Sequence, residues 1–321
     1  MLMNDSHHAA GSSRPGVPGG RLRPGDTLRF PGGRLRPEHW TALAELAAGH
    51  RGGIQLTARG GARIVGADRD PVELAVRDLA AAGLPEALAH PRGRDIIASP
   101  LAGRLGGHHD VGDLPTGLGA ALLARDAADA LHGQVLFGID DGSGDVLAHS
   151  PDLAVVVDGS DGGAQVHVAG RPVPLRVAVA DAATVLVDAA VELTGSAGPT
   201  RVPGSGGLHQ LVVDALGSHP RTIHAPVDPT TPPTTDVEVP RVGWIDTADG
   251  LVSLLAVVPD GVVPARLAEF LGAVERPTTV SADRVIGLHE LTEPMAEQVV
   301  RVLAPMGMIF DAESPWVTAF P

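Results

Sequence analysis

The chain has 321 residues, with 38 acidic side chains against 24 basic ones, a net charge of −14 at pH 7, 44% hydrophobic residues and 2% aromatic ones. That length can bury roughly two cores without covalent staples, and a surface this acidic repels phosphate backbones and anionic lipid, which argues against nucleic acid and membrane as partners. Cysteine, lysine and tyrosine are absent. Their absence excludes disulfides, thiolate metal sites, thiol catalysis, cysteine-ligated iron–sulfur clusters, Schiff-base lysines, a complete phosphate-binding P-loop and phenolic acids.

Residues 1–25 are rich in Gly, Pro, Ser and Arg and read as a disordered arm. They contain no apolar run of secretory type, and no stretch of the chain approaches the ~18 apolar residues of a membrane span. The expected location is the cytoplasm. The heptapeptide PGGRLRP occurs at Pro18–Pro24 and again at Pro31–Pro37, a local duplication. A first unit, residues 26–94, begins with a strand at Thr27–Phe30. A helix then opens at Pro37 and runs to Ala48 with Trp40, Leu43, Ala44 and Ala47 on one face. Strands follow at Ile54–Ala58 and Arg63–Val65. Asp70-Pro71-Val72-Glu73 caps a further helix that Gly83 stops.

Residues 95–217 form a different, middle region. Strands are expected at Asp95–Ser99, Gln134–Asp140, Leu153–Asp158 and Ala164–Ala169, and helices at Leu118–Ala130 and Asp181–Thr194. Gly204-Ser205-Gly206-Gly207 reads as a flexible connection, since no Lys is present to complete a phosphate loop. Residues 218–240, dense in Pro and Thr, read as a stiff linker. In residues 241–321 the first pattern returns: strand Leu251–Val258, Pro259-Asp260-Gly261, helix Pro264–Leu271, strands Thr278–Ser281 and Arg284–Leu288, and helix Glu293–Ala304. Pro31-Gly32-Gly33 falls beside Pro259-Asp260-Gly261, and Leu56–Arg59 beside Val280–Arg284 with one extra residue. The expected fold is therefore α+β: two ferredoxin-like half domains related by a pseudo-twofold, flanking a middle α/β domain.

Several segments carry a resemblance. These are Leu35–Gly49 after Pro31-Gly32-Gly33, Leu56-Thr57-Ala58-Arg59-Gly60, Arg94–Gly103, Phe137–Gly142, Val242-Gly243-Trp244 and Asp311–Trp316. Together they resemble the nitrite/sulfite reductase superfamily, and within it the precorrin-3B synthases of cobalamin biosynthesis. The resemblance implies an oxidoreductase whose half domains and larger domains meet around a tetrapyrrole, siroheme in the reductases and a precorrin in the synthases. It implies Arg59 and Arg94, with Arg63, Arg284 and Gln134, as ligand-binding positions, and guanidinium forks suit the carboxylates of such a ligand. Family members continue past the Ser-Pro-Trp motif into a cysteine-bearing iron–sulfur domain, whereas this sequence stops shortly after Trp316 and has no cysteine. Asn is usual in the family at Asp95, and Lys or Arg is usual where Gln134 stands.

Two readings stay open. One is an enzyme of tetrapyrrole metabolism that is redox-incomplete as a single chain and completed by a second subunit carrying the cysteine domain. The other is a non-catalytic tetrapyrrole-binding or partner-binding subunit, a pseudoenzyme. No catalytic residue and no metal site is assigned. His108-His109-Asp110 reads as an exposed loop, because adjacent histidines of a strand point apart. Asp140–Asp145 reads as a hairpin turn, because it lacks the bidentate Glu of a calcium loop. Bare surface arginines at strand ends make ion pairs of small worth, so the arginines matter only if they converge on one cleft.

Overall fold

The computed structural model describes residues 21–22, 27–48, 53–65, 74–75, 81, 83–90, 92–105, 109–131, 135–159, 162–197, 205–225 and 242–318. In chain order the strands are β1 (Arg21–Leu22), β2 (Arg34–Leu35), β3 (Ile54–Leu56), β4 (Ala62–Ile64), β5 (Leu74–Ala75), β6 (Asp95–Ala98), β7 (Leu136–Asp140) and β8 (Leu153–Val157). They continue with β9 (Gly163–Val168), β10 (Arg171–Ala178), β11 (Thr222–His224), β12 (Gly243–Asp246), β13 (Val252–Ala256), β14 (Val262–Val263), β15 (Thr278–Val280) and β16 (Ile286–Leu291). The helices used below are α1 (Pro37–Ala48), α2 (Leu114–Ala124), α3 (Val179–Ala197), α4 (Ser205–Leu216), α5 (Ala265–Ala273) and α6 (Glu293–Leu303).

The two half domains exchange strands. β2, which leaves the Pro31–Gly33 turn of the first half, pairs with β15 of the second. β14, which leaves the matching Pro259–Gly261 turn of the second half, pairs with β3 of the first. The second sheet runs β12-β13-β16-β15-β2 and the first runs β14-β3-β4, extended by a bridge from Leu28 to Ala62. Neither half closes its sheet with its own residues. A single apolar core accordingly spans both, with Trp40, Leu43 and Ile54 of the first half and Leu254, Leu271 and Leu288 of the second. Across that seam Trp40 Nε1 donates to Thr278 Oγ1 at 2.7 Å, and Thr278 Oγ1 donates to the Leu35 carbonyl at 3.1 Å. α1 lies against α5 on the same side.

The middle domain is a six-stranded mixed sheet in the order β11-β10-β9-β8-β7-β6, parallel from β6 to β8 and antiparallel from β8 to β11. Its own core joins Leu118 and Leu122 of α2, Val185, Leu186 and Ala189 of α3 and Val212 and Leu216 of α4 to the sheet. The chain is thus α+β, with paired ferredoxin-like halves and a middle α/β domain.

Four local expectations give way to tertiary pairing. Leu74–Ala75, placed in a helix by its capping pattern, is a strand that pairs antiparallel with Arg21–Leu22, itself placed in the disordered arm. Both PGGRLRP copies therefore put Arg-Leu into a short strand, each with a distant partner. The glycine-rich connection at Ser205 is the first turn of α4, because Leu211, Val212 and Leu216 recur at helical spacing and the last two are buried on the sheet. Thr222–His224, assigned to the Pro/Thr linker, is the edge strand β11. β10 escapes sequence reading because it carries Pro172 and Pro174, which a register shift between Pro172 and Arg176 accommodates. Residues 1–20 and 23–25 of the arm and 226–240 of the linker lie outside the described residues.

Candidate functional site

The hydrogen bonds of the two central turns correct the alignment of the halves. In the first half, Thr57 N donates to Gly61 O, Gly60 N to Thr57 O, and Gly61 N to Thr57 Oγ1. In the second half, Ser281 N donates to Val285 O, Arg284 N to Ser281 O, and Val285 N to Ser281 Oγ. The two turns match residue for residue without an insertion. Arg59 therefore corresponds to Asp283, and Arg284 stands where Gly60 stands, both at positive φ (61° and 69°). Matching Arg to Arg by sequence required the extra residue, and the hydrogen bonds of the turn remove it.

Both turns face the middle domain. The Arg59 guanidinium meets Asp95 at the start of β6, with NH1 3.0 Å from Oδ2. The strand expected at Thr27–Phe30 is reduced to the single bridge from Leu28 to Ala62, and from the segment beside it Arg29 reaches the same carboxylate, its Nε 3.0 Å from Oδ1. On the pseudo-symmetric side, Asp283 Oδ2 lies 3.6 Å from Nε2 of His149. The halves thus dock on the middle domain with opposite charges at equivalent positions. The Asp95 side chain is 12% exposed, against 28% for Arg29 and 39% for Arg59, so the carboxylate sits beneath two cations that open toward solvent.

The other expected site residues go elsewhere. Arg94 turns into the middle domain, where NH1 donates to Gly93 O, and NH2 donates to Ala128 O at 3.1 Å and to Leu131 O at 2.6 Å. Burial, followed by the charge of Arg29, lowers its pKa from the guanidinium range. Arg63 is exposed on β4, and its Nε donates to Thr27 Oγ1 at 2.9 Å. Arg284 lies against Gly261 in the second half. Gln134 and His108 lie outside the described residues. The structure thus gathers Arg59 with Arg29 at Asp95, ties Arg63 to Thr27, and ties Arg94 to the carbonyls of Gly93, Ala128 and Leu131. Arg29 was legible only by alternation: in Thr27–Phe30, Leu28 and Phe30 are buried, which turns Arg29 to the other face.

A second feature of the same junction is the loop after β7. Carboxylate oxygens of Asp140, Asp141 and Asp145 lie within 4.8 Å of one another. Asp140 is fully buried, and both of its oxygens already accept backbone N–H groups, Gly142 and Gly144 on Oδ1 and Val146 and Leu147 on Oδ2. The cluster builds a turn but not the expected hairpin, because β7 and β8 on either side of it run parallel. That turn carries Val146 onto Ala282 and brings His149 to Asp283 of the second half.

Asp145 accepts a hydrogen bond from Ser99 Oγ. Burial raises its pKa from 3.8 to about 6, opposed by the Ser99 bond and reinforced by the charges of Asp140 and Asp141. A carboxyl whose folded value exceeds its unfolded value holds its proton more tightly when folded, so its share of stability falls as pH rises from 4 through 6. Asp145→Asn should therefore be more stable than the parent at pH 7, by about 3 kcal/mol at most, and should match it at pH 4. Urea unfolding at the two pH values measures this, and an equal difference at both would contradict it.

No family model matches the sequence, and no curated protein matches it. Among solved structures the chain is similar to the NirA protein of Mycobacterium tuberculosis, with a TM-score of 0.69, 14% identity, and coverage of 89% of this chain and 57% of that one. The chain spans little more than half the length of that neighbour. The likeness is one of fold.

Proposed function

We propose that the chain binds a tetrapyrrole polycarboxylate, siroheme or a precorrin, at the junction of its first half domain with the middle domain. The observation that carries this reading is the convergence of Arg29 and Arg59 on the two oxygens of one carboxylate, where the first half domain meets the middle domain. Two guanidiniums at separate oxygens form a holder for a carboxylate, and the charged hydrogen bonds are each worth roughly 1.5–3 kcal/mol. The fold shared with the NirA protein supports the reading. A bound siroheme would supply redox chemistry through its iron, and Arg29 and Arg59 would hold a carboxylate of its periphery. With no cysteine among these 321 residues, the thiolates of an iron–sulfur centre would come from outside them, and a precorrin-3B synthase activity would require that source.

Titration of the purified chain with siroheme, followed by visible absorbance, tests the reading. A saturable spectral change below ~100 μM is expected. The Arg29→Ala, Arg59→Ala double variant should bind at least about tenfold more weakly, because it leaves the Asp95 carboxylate uncompensated against an anionic ligand. Spectral silence throughout the titration would overturn the proposal.

A further inference from the structure

We infer that His289 is an acid-sensitive latch between the second half domain and the middle domain: its neutral ring lets residues 101–105 lie on the outer face of the second sheet, and its protonation releases them. The inference stands apart from the tetrapyrrole reading.

The second sheet has two faces. One carries Leu35, Leu254, Ile286 and Leu288 into the core shared by the halves. The other carries a polar row, one residue from each of four neighbouring strands: Ser253 of β13, His289 of β16, Thr279 of β15 and Arg34 of β2. Ser253 Oγ lies 3.0 Å from His289 Nδ1, and Thr279 Oγ1 lies 2.8 Å from His289 Nε2. Gly287 makes room for the ring, since a Cβ there would lie 2.7 Å from its Nε2 and 2.6 Å from Thr279 Oγ1. The middle domain docks on this same face. Leu101 and Leu105 join one apolar cluster with Ile245, Leu255 and Val257. The Arg104 carbonyl accepts the Ala248 N–H at 2.9 Å, and Arg104 NH2 lies 3.5 Å from Glu290 Oε1. His289 is fully buried there.

A proton on this ring would find no counter-ion. Both nitrogens meet hydroxyls; a neutral ring accepts at one nitrogen and donates at the other, whereas an imidazolium donates at both. The charged side chains acting on the ring are Arg104, from the middle domain, and Arg34, from β2. Glu290, next along β16, turns to Arg104. Asp110 and Asp249 act on Arg104, and Asp110 and Asp113 on Arg34. Burial, followed by the charges of Arg104 and Arg34, holds the imidazole well below its ordinary 6.5. With residues 101–105 lifted away, water solvates the ring and restores that value. A histidine depressed in the closed state takes up its proton on opening. Closure is therefore fully stable above about pH 6.5 and weakens as pH falls below it. His149 works in the opposite sense, because its protonation charges the contact with Asp283 at 3.6 Å.

Hydrogen exchange of the full chain, read by mass spectrometry at pH 7 and pH 5 and corrected for the intrinsic rate, tests the latch. Peptides covering residues 101–105 and 243–248 should exchange about tenfold faster at pH 5. In His289→Gln and His289→Asn, each able to keep one of the two hydroxyl bonds, that acceleration should vanish. β9 is the control: it carries His167, whose pKa burial lowers to about 4, and its exchange should not respond to substitution at 289. A parent without the acceleration, or an acceleration that persists in both variants, overturns the inference. A thermal melt shows whether the variants fold. If neither does, NMR of ring-labelled histidine in the parent decides. A neutral His289 ring at pH 5 beside accelerated amides at 101–105 supports the latch, and a ring that gains its proton while those amides stay protected overturns it.

Discussion

Gly33→Ala should abolish the paired half domains, while Gly261→Ala at the pseudo-symmetric position should be tolerated. Both glycines adopt a φ of +64°, so an L side chain at either costs about 1–2 kcal/mol in backbone strain. What differs is the neighbour. A Cβ at Gly33 would lie 1.9 Å from the Val280 carbonyl oxygen, a backbone atom of the strand that β2 joins. A Cβ at Gly261 would meet Arg284 Cδ at 3.0 Å and Gln55 Nε2 at 3.3 Å, the ends of flexible side chains. Relief at Gly33 therefore requires β2 to leave β15, and with it the seam through Trp40 and Thr278. The expected loss exceeds about 4 kcal/mol for Gly33→Ala, against about 1–2 kcal/mol for Gly261→Ala. Tryptophan fluorescence reports it, since Trp40 is fully buried at that seam. Equal melting of the two variants would show that the strand exchange does not limit stability.

Asp140→Ala should unfold the middle domain first. Its carboxylate, itself fully buried, accepts four backbone N–H groups at 2.8–3.2 Å. Each orphaned buried donor costs about 1–3 kcal/mol, and partial relaxation limits the sum to about 4 kcal/mol. Burial already raises the pKa of Asp140. The neutral Asp140→Asn retains one acceptor oxygen and should lose about half as much. The tryptophans at positions 40, 244 and 316 all lie outside the middle domain. Circular dichroism should therefore fall in Asp140→Ala at a lower urea concentration than tryptophan emission shifts. Coincident transitions would mean that the three domains unfold as one unit.

Much of the architecture was legible in the linear pattern. The helix Pro37–Ala48 and the recurrence of its surroundings near the C-terminus follow from apolar spacing and Pro-x-Gly turns, because a helix face and a tight turn are local properties. The sequence also determined what chemistry the chain lacks, since no fold can create a thiolate or an amine that is absent. Tertiary structure decided the rest. Strand exchange, the pairing of Arg21–Leu22 with Leu74–Ala75, and edge strand β11 depend on partners far along the chain, which propensity does not register. The site shows the same division. Arg59 and Arg94 look alike in sequence, each a cation at the border of a turn or strand. Only the fold places Arg59 beside Arg29 over Asp95 and turns Arg94 inward onto the carbonyls of Ala128 and Leu131. Direction is set by the strand face on which a residue falls and by what packs against that face, and neither is written in the residue's own neighbourhood.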